Sequence, residues 1–127
     1  MTELSPCPCG SGDALAACCA PLHAGSPAPT AERLMRSRFT AFAVGDAAYL
    51  RRSWSSATRP AELELDAGTV WRRLQIVDAV GGGAADAEGV VEFRASYRDE
   101  EGAGLLHERS RFVREDGRWV YLDGDVR

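Results

Sequence analysis

The sequence has no lysine, and it has no cysteine beyond Cys19. All 15 basic residues are arginines, and 19 acidic residues leave a formal net charge of -4. Broad phosphate-backbone binding rests on surplus positive charge, so this balance argues against a nucleic-acid tracker. Arginine in place of lysine, with abundant alanine and glycine, reads as compositional bias, although arginine keeps its flat bidentate reach wherever it clusters. No apolar run approaches the roughly 18 residues of a membrane span. The polar stretch from Met1 to Pro6 is unlike a secretory leader. The expectation is a soluble, cytoplasmic chain with no membrane partner. Phosphate-loop and dinucleotide glycine patterns are missing, because Gly81-Gly82-Gly83 lacks a strand-turn-helix context. His107-Glu108 is not a zinc-protease motif either, since no second histidine follows at the required spacing.

What is present is concentrated at the start. Cys7 and Cys9 form one pair, Cys18 and Cys19 a second, with eight residues between. Four thiolates suit a tetrahedral zinc ion at about 2.3 Å per bond. Gly10 and Gly12 allow a tight turn after the first pair. Ser11 or Asp13 is placed to cap a short helix that carries the second pair. Disulfides or free thiols are the alternative, but the adjacent Cys18 and Cys19 are awkward to bridge, and clustered cysteines in an intracellular chain favour metal. Four cysteines close the coordination sphere, so the expected Zn2+ is structural rather than catalytic. His23, four residues on, is expected to pack near the site as a supporting contact.

A length of 127 residues suits one compact domain plus a small appendage. We read residues 1–25 as a zinc knuckle and 26–127 as an α+β domain, joined through the proline- and alanine-rich stretch 24–29. Thr30 caps a helix with apolar residues at Leu34, Met35, Phe39 and Phe42, and Gly45 ends it. Asp46 starts a second helix to about Trp54. Residues 55–65 are irregular, and 66–74 read as a short third helix. The period then becomes two, predicting strands near 75–80, 89–98, 105–114 and 118–122, with turns at Gly81-Gly82-Gly83, at 99–102 and at Glu115-Asp116-Gly117. Helices first and antiparallel strands later define an α+β fold.

Strand alternation groups Val91, Phe93, Ala95 and Tyr97 on one face. It likewise groups Leu106, Glu108, Ser110 and Phe112, and Trp119, Tyr121 and Asp123. If the Phe112 face turns inward, Glu108 and Ser110 follow it, and a carboxylate there needs a partner or a wet pocket. Tyr97, Tyr121, Arg38 or Arg36 are candidate partners. Glu108 then serves as a general base or ligand anchor, or it forms a buried salt bridge to an arginine of the first helix; the second reading is favoured, since ion-pair networks perturb carboxylates as active sites do. His107 falls on the opposite face and reads as a lone surface histidine. Trp54, Trp71 and Trp119 read as core or pocket-wall residues.

Cys7-Pro8-Cys9-Gly10-Ser11-Gly12 through Cys18-Cys19 resembles a SEC-C motif, the zinc knuckle found at the C-terminal end of the SecA translocation ATPase. The segments 18–25, Leu34-Met35-Arg36-Ser37-Arg38-Phe39-Thr40-Ala41-Phe42, His107-Glu108-Arg109-Ser110 and 116–124 resemble the YchJ family of bacterial proteins, so the likeness spans nearly the whole chain. It implies a SEC-C knuckle followed by a nuclear transport factor 2-like domain, a cone of helices on a curved antiparallel sheet. It implies no particular reaction. Longer family members carry a second cysteine knuckle, which is not seen before Arg127. Asp13 stands where many SEC-C motifs have lysine, which weakens a phosphate- or nucleic-acid-binding role for the knuckle.

The leading expectation is a non-enzymatic adaptor whose zinc-ordered knuckle meets a protein partner without a large ordering cost. The runner-up is a small-molecule-binding protein or a small hydrolase or isomerase, acting through a cone pocket near Glu108, Ser110, Tyr97, Tyr121 and Arg38. Nucleic-acid binding ranks last on charge. Folds of this shape often pair through the open sheet face, so a homo-oligomer is compatible with the sequence.

Overall fold

The computed structural model describes residues 5–127; residues 1–4 of the expected knuckle, and most of the leader reading from Met1 to Pro6, lie outside them. The chain runs from a 3-10 turn (Leu15–Ala17) into α1 (Cys19–His23), α2 (Ala31–Val44) and α3 (Ala47–Arg52). Four strands follow: β1 (Val70–Gly81), β2 (Glu88–Asp99), β3 (Gly102–Glu115) and β4 (Arg118–Val126). They form one antiparallel sheet in the order β1-β2-β3-β4, an α+β architecture. No helix among the described residues is long and apolar enough to cross a membrane.

Helix α2 begins and ends where its capping residues dictate. Thr30 Oγ1 accepts from Arg33 N at 3.1 Å, and Gly45 takes the left-handed conformation (φ 80) that terminates the helix. Asp46 Oδ1 accepts from Tyr49 N and starts α3. The apolar side of α2, with Leu34, Met35 and Phe39, packs onto Val91, Phe93, Ala95, Phe112 and Trp119 of the sheet. Its first turn docks directly on the β1–β2 hairpin. Ala31 N donates to Gly82 O at 2.9 Å, and a Cβ at Gly82 would lie 2.7 Å from the Ala31 Cβ. That glycine, at φ 76, therefore permits both the turn and the approach.

Three expectations about the elements are corrected. The helix read over 66–74 does not form: Asp66 binds Gly68 N and Thr69 Oγ1 in a tight turn, and β1 starts at Val70. Register shifts at Trp71/Arg73 and Ile76/Asp78 break the two-residue alternation of β1, which is why its first half does not look like a strand in the sequence. Helix α3 stops at Arg52, short of Trp54. Ser55 N donates to Tyr121 O, and Tyr121 N to Ser53 O, so residues 53–55 run beside β4 instead. Finally, Asp123 does not share a face with Tyr121. The β3–β4 register shifts between Arg111 and Phe112, pairing Phe112 with Tyr121 but Arg111 with Asp123. The extra residue, Leu122, turns Asp123 to the outer face, where it meets Arg111 at 2.7 Å.

Candidate functional site

Two clusters of chemically capable side chains lie on opposite sides of α2. The first is the cysteine cluster. All four cysteines are buried, and their four sulfurs lie within 4.8 Å of one another. Cys9 and Cys18 sulfurs are 3.7 Å apart, Cys18 and Cys19 sulfurs 3.9 Å. A tetrahedral ion with bonds of about 2.3 Å spaces its ligand sulfurs by about 3.8 Å, so the donor set fits a four-coordinate thiophilic metal. The acid–base chemistry agrees. Hydrogen bonding from Cys19 pulls the Cys9 thiol down, while that same bond and burial push Cys19 up. Without a cation, this crowd of sulfurs cannot ionise together.

Gly10 and Gly12 carry the positive φ values that the turn needs (80 and 93). The expected capped helix before the second pair is instead the 3-10 turn, with Ala14 at its N-cap and no side-chain cap. Ser11 accepts from Asp13 N and sits 3.2 Å from the Cys18 sulfur.

The knuckle is clamped to one stripe of α2. Arg33 donates to Cys18 O (2.9 Å) and towards the Cys18 sulfur. Arg36 donates to Cys9 O (2.9 Å), and Thr40 Oγ1 donates to the Cys19 sulfur at 3.4 Å. Four thiolates around a divalent ion would leave net negative charge, which these arginines answer. Sequence reasoning missed the contact of these three residues with the knuckle, and offered Arg36 to Glu108 instead. Their i, i+3, i+7 spacing puts them on one polar stripe opposite the core face, and that was the available signal. His23 does not reach the sulfurs: its Nε2 donates to Ser37 O at 2.9 Å, and its ring lies 4.5 Å from Tyr49.

The second cluster is a cavity of about 120 Å³ between α2 and the concave sheet face. Phe39, Phe42, Trp71 and Phe93 supply much of its wall, and Arg38, Glu108, Ser110 and Tyr121 its polar part. Ser110 Oγ donates to Glu108 Oε2 at 2.7 Å, and Tyr121 Oη donates to the same oxygen at 3.2 Å. Gly124 pairs with Ser110, and a Cβ on it would overlap the Glu108 carboxylate. Burial, with the negative charge of Glu108, pushes the Tyr121 phenol well above its ordinary range.

The favoured salt bridge between Glu108 and an arginine of the first helix is not formed. Arg38 is 3% exposed, yet its Nη1 donates to Leu50 O (2.8 Å) and Ser53 Oγ (2.7 Å), not to Glu108. Its guanidinium lies 5.1 Å from the Trp54 ring centre and 4.7 Å from that of Tyr121. Burial lowers its pKa to about 10, which leaves it charged at neutral pH. Arg36 is engaged by the knuckle and by Glu32. Tyr97 is not among the residues lining the cavity; its ring lies across Gly104 and against Trp71. Trp54 and Trp71 line the cavity, whereas Trp119 is core, with Arg114 stacked on it at 4.2 Å. His107 is not a lone surface residue, because its Nε2 sits 2.7 Å from Glu92 Oε2 on the outer face.

Comparison with known proteins agrees with this arrangement. The model of the YchJ middle NTF2-like domain matches residues 30–124, and that of the SEC-C motif matches residues 5–21. The chain belongs to the YchJ family. UPF0225 protein SCO1677 of Streptomyces coelicolor is 54% identical over 121 residues, covering 94% of each chain. Among solved structures, RPA3114 of Rhodopseudomonas palustris, described as a SEC-C motif containing protein, superimposes with a TM-score of 0.80 at 30% identity, over 94% of this chain and 96% of that one. A SEC-C motif containing protein from Psychrobacter arcticus gives the same TM-score at 26% identity, over 99% and 85%. The fold expected of a YchJ-family chain, an NTF2-like sheet with an N-terminal cysteine knuckle, is thus the one observed.

Proposed function

We propose that this YchJ-family protein binds a small molecule in the cavity beneath α2, and holds a structural zinc in its knuckle that fixes α2 over that cavity. The observation that carries the reading is the convergence of Ser110 and Tyr121 on one Glu108 oxygen inside a chamber whose remaining wall, Arg38 apart, is aromatic and aliphatic. Apolar walls with a few oriented polar groups are the usual make-up of a ligand site. A closed set of four thiolates suits a structural ion, with no open position for chemistry. The Ser110–Glu108 hydrogen bond is a hydroxyl–base pair that could also serve catalysis; it is the mainly apolar wall of the cavity that favours binding.

Zinc serves this function indirectly. Thr40 and Phe39 are neighbours on α2, one touching the knuckle and the other the cavity. An ordered knuckle therefore bears on the cavity roof.

The test is a thermal-shift screen of the zinc-loaded protein with single-ring compounds, run beside Ala95→Leu. Ala95 lines the cavity, so the larger side chain fills it. A ligand at one hundred times its Kd stabilises by about 2.7 kcal/mol, read as a rise of several degrees that Ala95→Leu abolishes. Equal shifts in both proteins, or none in either, would count against the proposal.

The adaptor reading keeps one supporting observation: residues 10–13 at the knuckle tip are exposed. Capture of the same partners by the full chain with and without a chelator would dismiss it.

A further inference from the structure

The cavity holds two opposite charges that do not neutralise each other directly. Arg38 is almost wholly buried, and both of its hydrogen bonds leave from Nη1, so Nε and Nη2 donate to no acceptor among the described residues. No carboxylate of a described residue lies at ion-pair distance from it. Glu108 takes both of its hydrogen bonds on Oε2, leaving Oε1 without a donor among the described residues. Trp54 also lines the chamber, and its indole Nε1–H is buried without an acceptor there. Of these atoms the Trp54 indole nitrogen is the one fully buried without a partner among the described residues, and a ligand acceptor that pairs it recovers that desolvation cost.

The same inventory limits the ligand. An anion suits Arg38 but meets Glu108, and a cation suits Glu108 but meets Arg38. A zwitterion would have to shed the hydration of two full charges in a chamber of about 120 Å³. For scale, a cavity of about 150 Å³ holds one benzene ring. Rings of Phe39, Phe42 and Trp71 make the opposite wall suited to a flat apolar body.

We infer that the cavity takes a neutral single-ring molecule presenting a hydrogen-bond acceptor and donor side by side, the edge of a lactam or cyclic amide. The carbonyl oxygen, with two lone pairs, receives from Arg38 and Trp54, and the adjacent N–H donates to Glu108 Oε1. This rests on the cavity being a binding site, and it adds the class of molecule bound there.

Four probes of similar size separate the alternatives by calorimetry on the zinc-loaded full chain: 2-pyridone, benzoate, benzylammonium and toluene. The expected result is 2-pyridone at least tenfold tighter than each of the others. In Glu108→Gln the cavity carries only the charge of Arg38, so benzoate is expected to gain at least tenfold and to overtake 2-pyridone. Benzoate or benzylammonium matching 2-pyridone in the unmodified protein would overturn the neutral-amide class while leaving the cavity a binding site. Toluene matching 2-pyridone would show that the polar groups select nothing, with the same consequence. Failure of all four to bind would overturn both this inference and the binding-site reading. The unmodified-protein comparison decides the class even if Glu108→Gln does not fold.

Discussion

The carboxylate of Glu108 occupies the space that a side chain at position 124 would fill, because Gly124 sits on β4 directly opposite Ser110, the residue that anchors Glu108. The glycine is there to make room. Gly124→Ala should therefore push the carboxylate off Ser110 and Tyr121, at a cost of about 1–3 kcal/mol, as overpacking usually exacts. Chemical denaturation measures the loss. A variant as stable as its parent would show that the carboxylate moves freely.

Thr40 donates to the Cys19 sulfur from α2. Thr40→Val keeps the shape and removes the donor. Losing such a contact to a metal ligand typically weakens affinity about 10- to 100-fold, so zinc should transfer to a competing chelator correspondingly more readily. Unchanged competition would make the hydroxyl a packing group only.

Stripping the metal is expected to do more than unfold the knuckle. Arg33, Arg36 and Thr40 all hold it to α2, and structural zinc supplies folding energy directly to so short a segment. Chelation should lower the melting temperature of the whole chain and raise hydrogen exchange in α2. Exchange confined to residues 5–23 would mean the knuckle hangs on the domain without bracing it.

Arg38→Met should leave stability within about 1 kcal/mol while abolishing ligand-induced stabilisation. The substitution gives up ring contacts with Trp54 and Tyr121 and the hydrogen bonds to Leu50 O and Ser53 Oγ, yet it also removes a buried charge that no carboxylate meets. Urea denaturation with and without 2-pyridone measures both. A loss beyond about 3 kcal/mol would make Arg38 a structural residue first.

Glu115 ties the segment after α3 to the end of β3. Its carboxylate is held below the ordinary range, first by the hydrogen bond from Ser55 Oγ and then by Ser56 N. A carboxylate with a depressed folded-state pKa stabilises above its unfolded value, about 4.3, and that contribution fades as pH falls through the folded value. Glu115→Gln should therefore melt lower than the parent at pH 7, with the gap closing as pH drops below about 4. A gap constant from pH 7 to pH 3 would exclude ionisation as its source.

Much of this was legible because it is local. Four cysteines in thirteen residues advertise a metal wherever they fold, and Thr30 and Gly45 bound α2 by backbone chemistry alone. Alternation correctly sent Glu108 and Ser110 inward, because β3 is regular along that stretch. It failed for β1 and for Asp123, since a bulge inverts every face assignment beyond it and carries no clear residue signature. The partner of Arg38 was not legible either. A long side chain on an inward helix face reaches several acceptors, and only the position of α3 decides for Leu50 O and Ser53 over Glu108.

The three tryptophans allow the most direct test of the binding cavity. Trp54 and Trp71 line it, and Trp119 does not. In a titration of the zinc-loaded protein with 2-pyridone, followed by indole N–H resonances, the signals of Trp54 and Trp71 should shift saturably and together while that of Trp119 stays in place. No saturable shift at Trp54 and Trp71, or an equal shift at all three, would contradict a ligand site under α2.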